Sequence, residues 1–279
     1  MKKITEKLIK RFRNYLINEE KSDATLEKYI RDICAFLSWL CGRGVDKQTV
    51  LEYKAYLVEN YKPASVNSVL SSLNSFFTYN EWYDCKVKSL KIQKRIFASK
   101  DKELTKAEYE RLLDAAKSEK NERLYLLMQT ICSTGIRVSE LRFVTVAAVN
   151  TGIANINCKG KLRQVFLPKA LCRILARYIR ERKITSGPVF VSRTGKPLDR
   201  SNIWSDMKKL CEHAGVSKDK VFPHNLRHLF ARTYYSLQKD IVRLSDILGH
   251  SSVDTTRIYT METGEVHMKQ IEKMGLLRC

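Results

Sequence analysis

The amino-acid sequence predicts a mainly α-helical fold in two domains, the second carrying one small β-hairpin. Three observations lead there. Apolar residues recur at intervals of three and four along most of the 279 residues, the spacing of a single helix face. Alternating, β-branched segments break that pattern in one region, near residues 152–168. The length favours two cores over one, and a basic run at residues 85–102 supplies the seam.

The first domain, residues 1–92, reads as four helices. The clearest lies in KSDATLEKYIRDICAFLSWLCGRG, where Leu26, Tyr29, Ile30, Ile33, Phe36, Leu37 and Leu40 share a face and Gly42 and Gly44 end the run. Weaker periodicity predicts helices over 4–18, 47–60 and 63–82, the last opened by Pro63. The stretch CKVKSLKIQKRIFASKDK holds seven basic residues, one Asp and no period, which ordinarily means a solvated linker. The linker proper is placed at 93–103. The second domain, 104–279, opens on Thr105, with Glu108 three residues on, a pair able to cap each other's backbone amides. GIANINC (152–158) and RQVFLP (163–168), joined by Lys159-Gly160-Lys161-Leu162, predict a hairpin with a basic tip. VFV at 189–191 predicts a third short strand, helices resume at Ser201, and a tail helix is expected from about residue 264.

Charge narrows the function. Lys plus Arg number 51 and Asp plus Glu 30, a formal net charge of +21. Basic residues exceed acidic ones by 20 to 13 up to residue 103 and by 31 to 17 beyond it, so both domains attract phosphate. A field of this size fits a polyanionic partner better than a small metabolite. The eight cysteines form no C-x-x-C and sit mostly in apolar helical runs, which reads as reduced core thiols in a cytoplasmic protein. Neither an apolar signal core nor a membrane-length apolar window is present in the sequence, so no membrane association is expected.

Several residues can carry chemistry. Arg137, in STGIRVSEL, follows Gly135 and is placed in the first turn of a new helix, where a cation is unfavourable unless an anion binds beside it. The competing reading is a surface pair with Glu140 at i, i+3, although the apolar flanks point Arg137 inward. In FPHNLRHLFARTYY, His224 and Arg227 share a helix face and can grip one tetrahedral anion. His224 and His228 have the i, i+4 spacing of zinc ligands, but Asn225 stands where H-E-x-x-H has its Glu and no third ligand follows, so no metal is expected. In GHSSVDTTRIYT, Gly249 ends a helix, His250 lies in the turn, Ser251 or Ser252 caps the next short helix, and Tyr259 comes nine residues after His250. A lone tyrosine among 13 is ordinarily a packing residue; the order of the surrounding motifs argues otherwise.

That order, TGIRVSEL, CKGKLRQVFLP, HNLRH and LGHSSVDTTRIYT in a strongly basic chain, resembles the tyrosine recombinase (phage integrase) family, in its simple two-domain form, over essentially the whole length. The resemblance implies a SAM-like core-binding domain of four helices and an α-rich catalytic domain, together a C-shaped clamp around duplex DNA. Carried over residue by residue, it makes Arg137, Lys159, His224, Arg227 and His250 the phosphate-activating set and Tyr259 the nucleophile. A phenol with a pKa near ~10 needs a base or cations to react at neutral pH; His224 is the candidate base. Two arginines and a donor from His250 meet the charge on the non-bridging oxygens, and a hairpin lysine protonates the departing 5′-hydroxyl. The tip KGKLRQ is a residue shorter than K-G-x-K-x-R, so Lys159 and Lys161 compete for that role, with Lys159 favoured because it directly follows the strand. Lys94, Arg95, Lys161 and Arg163 are expected DNA contacts. No cofactor is implied, and the partners are duplex DNA with specific recombination sites and a homo-tetramer, or one shared with a second recombinase. Two alternatives stay open: supercoil relaxation or hairpin formation, as in type IB topoisomerases or telomere resolvases, and a non-catalytic DNA-binding protein on the same scaffold.

Overall fold

Residues 2–92, 103–158, 161–192, 194–250, 252–259, 268 and 272–274 are described by a computed structural model of the chain, with the side chains of 158 and 161 excepted. The chain divides into two compact units, Met1–Lys94 and Arg95–Cys279. Among the described residues no helix is long and apolar enough to cross a membrane.

The first unit is built from α1 (Glu6–Asn18), α2 (Asp23–Leu40), α3 (Lys47–Asn60) and α4 (Pro63–Tyr79). Pro63 stands in the first turn of α4, where its missing N–H costs nothing. The chain leaves α2 through Cys41 in the left-handed region and Gly42 beyond it. Phe12, Phe36, Phe76 and Phe77 are buried among Leu16, Ile33, Leu70 and Leu73, each aromatic contributing about 1.5–3 kcal/mol by burial. Lys28 closes one polar gap in this interior, bonding Asp32, the Ser68 carbonyl and Ser72.

The first half of the basic run after α4 is held against α4 itself. Asn74 bonds Val87 through both amide atoms (Nδ2 to the carbonyl 2.8 Å, Oδ1 from the N–H 3.0 Å), and Asn67 holds Leu90 in the same way (2.9 and 2.7 Å). The two asparagines lie seven residues apart on one face of α4 and act as a substitute β-ladder. Residues 86–90 are therefore strapped to the first unit with Val87 buried. Lys94 and Arg95 lie outside the described residues.

The second unit opens with α5 (Lys106–Ser118), and the Thr105/Glu108 capping box is formed, with backbone-to-side-chain distances of 3.2 and 2.8 Å. Next come α6 (Glu122–Thr134), a 3-10 helix at Val138–Phe143 and α7 (Val146–Thr151). Gly135 ends α6 at φ 65°, and a Cβ there would lie 2.5 Å from the Phe230 ring, so only glycine fits both the backbone and the packing. Strands β1 (Ile153–Cys158) and β2 (Lys161–Phe166) pair antiparallel, with Cys158 opposite Lys161. The connection is thus two residues instead of four, and Lys161 and Leu162 belong to the strand. Leu167 and Pro168 fall outside β2, because Pro168 already caps α8 (Lys169–Glu181). The expected third strand at 189–191 is absent: this segment makes only isolated bridges, Thr145 with Pro188 and Val191 with Pro197. Each bridge includes a proline, which cannot donate to a ladder. Then follow α9 (Arg200–His213), α10 (Pro223–Gln238), α11 (Ile241–Leu248) and α12 (Val253–Thr256), the last continued by a 3-10 turn at Arg257–Tyr259. Apart from a few single positions, the tail helix expected from residue 264 lies outside the described residues.

The main core of this unit gathers Leu112, Leu127, Ile131, Val144, Leu175 and Met207. A smaller cluster of Ala231, Leu244, Leu248 and Tyr259, flanked by Phe230, Tyr234 and Tyr235, joins α10 to α11. It carries the phenol.

Candidate active site

Arg227, on the second turn of α10, is 2% exposed. A buried cation needs acceptors on all sides, and here they are backbone carbonyls at two helix ends: Gly135 at the end of α6, and Leu248 at the end of α11 (2.7 Å). The end of α11 takes two further arginines. Arg163, from β2, bonds the Ile247 carbonyl at 2.7 Å, and Arg137 bonds the Gly249 carbonyl at 3.2 Å. Three consecutive carbonyls at one helix terminus are thus each met by a different guanidinium. Those carbonyls have no partner within their helix and form the negative end of its dipole, which is why three like charges converge there.

Glu140 supplies the counter-charge. Only 3% exposed, it pairs with Arg137 (2.9 Å) and Arg163 (2.6 Å) and accepts the Arg137 backbone N–H (2.9 Å). Burial alone would raise its carboxyl pKa, but that N–H and the two guanidiniums outweigh it and hold the pKa below the usual value. The predicted Arg137–Glu140 pair exists, then, but in the interior. Arg137 precedes a 3-10 helix rather than sitting inside an α-helix, and its side chain, 38% exposed, still reaches a cleft. Arg163, expected to face DNA, has its guanidinium committed to Glu140 and Ile247. Gly249 leaves room for it: a Cβ there would lie 2.4 Å from Arg163 Cδ.

The cleft, about 490 Å³, is lined by Arg137, Arg200, Trp204, Phe222, His224 and Arg227. Arg200 and Trp204, one turn apart at the start of α9, escaped the sequence reading; their i, i+4 spacing just after an Asp199 cap was the available signal. His224 faces this space, its pKa lowered by burial and by Arg227, Arg200 and Arg137. Burial and the neighbouring Arg137 also pull Arg227 down to about 10.

Behind the cleft, imidazoles surround the phenol. Tyr259 is 4% exposed. The His250 ring stacks on it at 6.1 Å between centroids, and the His228 ring meets it edge to face at 4.8 Å. His224 packs against His228 in turn (4.3 Å), so the imidazole abutting the phenol is His228, not the candidate base His224. Burial raises the Tyr259 pKa, while Arg227 and Arg137 oppose the rise. Burial and the surrounding cations lower His250 to about 4; burial, His224 and Arg227 do the same to His228. Arg137, His224, Arg227, His250 and Tyr259 are thus brought together. Lys159 lies outside the described residues, as does the side chain of Lys161. Among the described residues no group of three His, Cys, Asp or Glu side chains is placed to hold a metal.

Cations grouped at a cleft, with a shielded phenol behind them, suit transfer of a phosphoryl group. The model of the phage integrase family matches residues 102–265, and that of the phage integrase N-terminal SAM-like domain matches residues 8–82. The chain is 33% identical to tyrosine recombinase XerA of Thermococcus kodakarensis, with 97% of this chain and 96% of that protein covered. It is 30% identical to tyrosine recombinase XerD of Xanthomonas campestris pv. campestris, covering 92% and 88%. Among solved structures, a lambda integrase (75-356) dimer bound to a COC′ core site has a TM-score of 0.75 at 19% identity, covering 93% of this chain and 96% of that one, a likeness of fold. XerA recombinase has a TM-score of 0.52 at 26% identity, covering 99% and 100%. The chain belongs to the phage integrase family and is a site-specific tyrosine recombinase.

Proposed function

We propose that the protein cleaves and rejoins duplex DNA at specific sites through a 3′-phosphotyrosyl intermediate on Tyr259. The observation that carries this reading is the buried Tyr259 phenol set against His250 and Arg227, at the back of a cleft whose cations can seat one phosphate. Arg137, Arg227 and His250 contact the non-bridging oxygens, and His224, which packs on His228 rather than on the phenol in the free protein, takes the phenol proton once the Tyr259 side chain moves into the cleft to attack phosphorus. The bond from phosphorus to the 5′-oxygen breaks, and Lys159 or Lys161 from the hairpin protonates the departing hydroxyl. The new ester conserves the bond energy, so a 5′-hydroxyl from another strand reverses the step without ATP.

The raised pKa of Tyr259 fits an enzyme that is inactive until substrate arrives. A phosphate in the cleft draws the arginines and reorganises the charge around the phenol. Lys94 and Arg95, with the hairpin lysines, add sequence-independent contacts to the backbone. Strand exchange between two duplexes calls for a tetramer, with each tail from about residue 264 docked on a neighbouring subunit. The work takes place in the cytoplasm or nucleoid.

The test uses nicked suicide duplexes from a pool of genomic and element-end DNA, with wild-type protein and Tyr259→Phe, resolved on a denaturing protein gel. A covalent adduct is expected for wild type alone, mapped to Tyr259. Tight, salt-sensitive binding to a defined site without any adduct would favour a non-catalytic DNA-binding role, and relaxation of supercoiled DNA lacking paired sites would favour a topoisomerase.

A further inference from the structure

Hydrogen bonding in the free protein fixes the protonation of His250, and it does so in the form unsuited to catalysis. The Arg227 Nη2 lies 3.0 Å from His250 Nε2. A guanidinium can only donate, so Nε2 accepts. A neutral imidazole carries one N–H, and burial together with Arg227, Arg137, Arg163 and His224 keeps this ring neutral at physiological pH. The hydrogen therefore sits on Nδ1, which points at the Thr256 hydroxyl at 2.9 Å. Thr256 is fully buried, and it stands on α12 three residues before Tyr259. The stacked phenol of Tyr259 is the remaining titratable neighbour of the ring.

We propose that Thr256 is a positioning residue for His250: its hydroxyl accepts from Nδ1–H in the free protein, then turns to donate to Nδ1 when Nε2 must present a hydrogen to the phosphate. This rests on the reading above, in which His250 donates to a non-bridging oxygen. When the phosphate takes the Arg227 N–H, Nε2 loses its donor and faces an anion instead. One proton leaves Nδ1 for water and one reaches Nε2 from water, so the ring charge is unchanged. Only a partner able both to accept and to donate serves the two states. A hydroxyl can do so by rotation about one bond; an apolar side chain or an ionised carboxylate at this position cannot. The same short helix thereby sets the nucleophile and the tautomer of the ring stacked on it.

Two variants separate this role from simple packing. Thr256→Val keeps the shape and removes the hydroxyl; Thr256→Ser keeps the hydroxyl and removes a methyl group. Nitrogen-15 spectra of histidine-labelled protein, with His250 assigned through His250→Gln, report the tautomer without reference to activity. Wild type, Thr256→Ser and Thr256→Val are all expected to show the Nδ1–H form in the free protein, because Arg227 still donates to Nε2, with the Nδ1 shift of Thr256→Val alone moving to that of an N–H without an acceptor. In single-turnover cleavage of a nicked duplex, Thr256→Val is expected to fall by about 10²-fold, the loss that follows displacement of a catalytic group by an ångström, with DNA affinity unchanged. Thr256→Ser is expected to restore the rate. An Nε2–H ring in free wild type, full activity in Thr256→Val, or failure of Thr256→Ser alongside Thr256→Val in a folded protein would each overturn the proposal. Wild-type cleavage by His250→Gln would instead sink the reading of His250 as a phosphate donor, while the nitrogen shifts still decide the tautomer.

Discussion

His228 meets Tyr259 edge to face, with centroids 4.8 Å apart and planes at 85°, and its buried Nε2 has no hydrogen-bond partner among the described residues. The ring is therefore held as a packing surface for the phenol at the cost of a desolvated nitrogen. His228→Phe keeps the edge contact and removes that cost, so stability is expected to stay level or rise by about 1 kcal/mol. His228→Ala opens a cavity and is expected to lose about 3 kcal/mol and to slow adduct formation as the phenol loses its support. Urea unfolding and suicide-duplex cleavage of both variants check this.

Stability should fall as the solution is acidified through the histidine range. His228 and His250 are held near 4 in the folded protein, against 6.5 for the ordinary group. A depressed folded pKa means that the unfolded chain binds the extra protons. The contribution is complete above about 6.5 and is lost between 6.5 and 4, by at most about 1.4 kcal/mol per pH unit per ring. Urea midpoints at pH 7.5 and 5.0 should show the drop, and His228→Phe should show a smaller one.

Glu140→Gln leaves Arg137 and Arg163 without their shared counter-charge. Breaking a buried pair on one side typically costs about 3–5 kcal/mol. The exposure of Arg137 puts this case at about 3 kcal/mol, with cleavage lost as Arg137 drifts from the Gly249 carbonyl. Because the folded carboxyl pKa is depressed, wild-type protein should lose the same contribution as pH falls below the ordinary carboxylate range. Thermal unfolding against pH for both proteins is the measurement.

Gly249→Ala joins two penalties, a left-handed φ of 63° and a Cβ 2.4 Å from Arg163 Cδ. Strain and overpacking together are expected to cost about 2–4 kcal/mol, with activity falling further because Arg163 shares Glu140 with Arg137. Arg163→Ala in the same chain relieves the clash without restoring cleavage, which separates steric from electrostatic loss.

Much of this was legible in the sequence. Helix periods, the Thr105 cap, the Pro63 and Pro223 starts and the glycine stops are local signals, and the local structure obeys them. Arg137, His224, Arg227, His250 and Tyr259 were legible as residue types in order. Their partners were not. Arg163 reads as a free cation because its acceptor is a backbone carbonyl 84 residues away, and every residue has a carbonyl. Asn67 and Asn74 read as ordinary helix-surface amides until residues 87 and 90 are seen against them. Thr256 is one of two adjacent threonines, and only the fold shows which of them reaches His250.

The convergence of three arginines on the end of α11 also bears on synthesis at the ribosome. A nascent polypeptide halted before residue 247 already contains Arg137, Arg163 and Arg227, but none of the Ile247, Leu248 and Gly249 carbonyls that gather them, and not the phenol at 259. Glu140 can still pair Arg137 with Arg163, but Arg227 keeps only the Gly135 carbonyl of the acceptors that hold it in the finished site. Translation thus delivers the anchor and the nucleophile within 13 residues of each other, and an unfinished chain has no means of breaking the genome that encodes it.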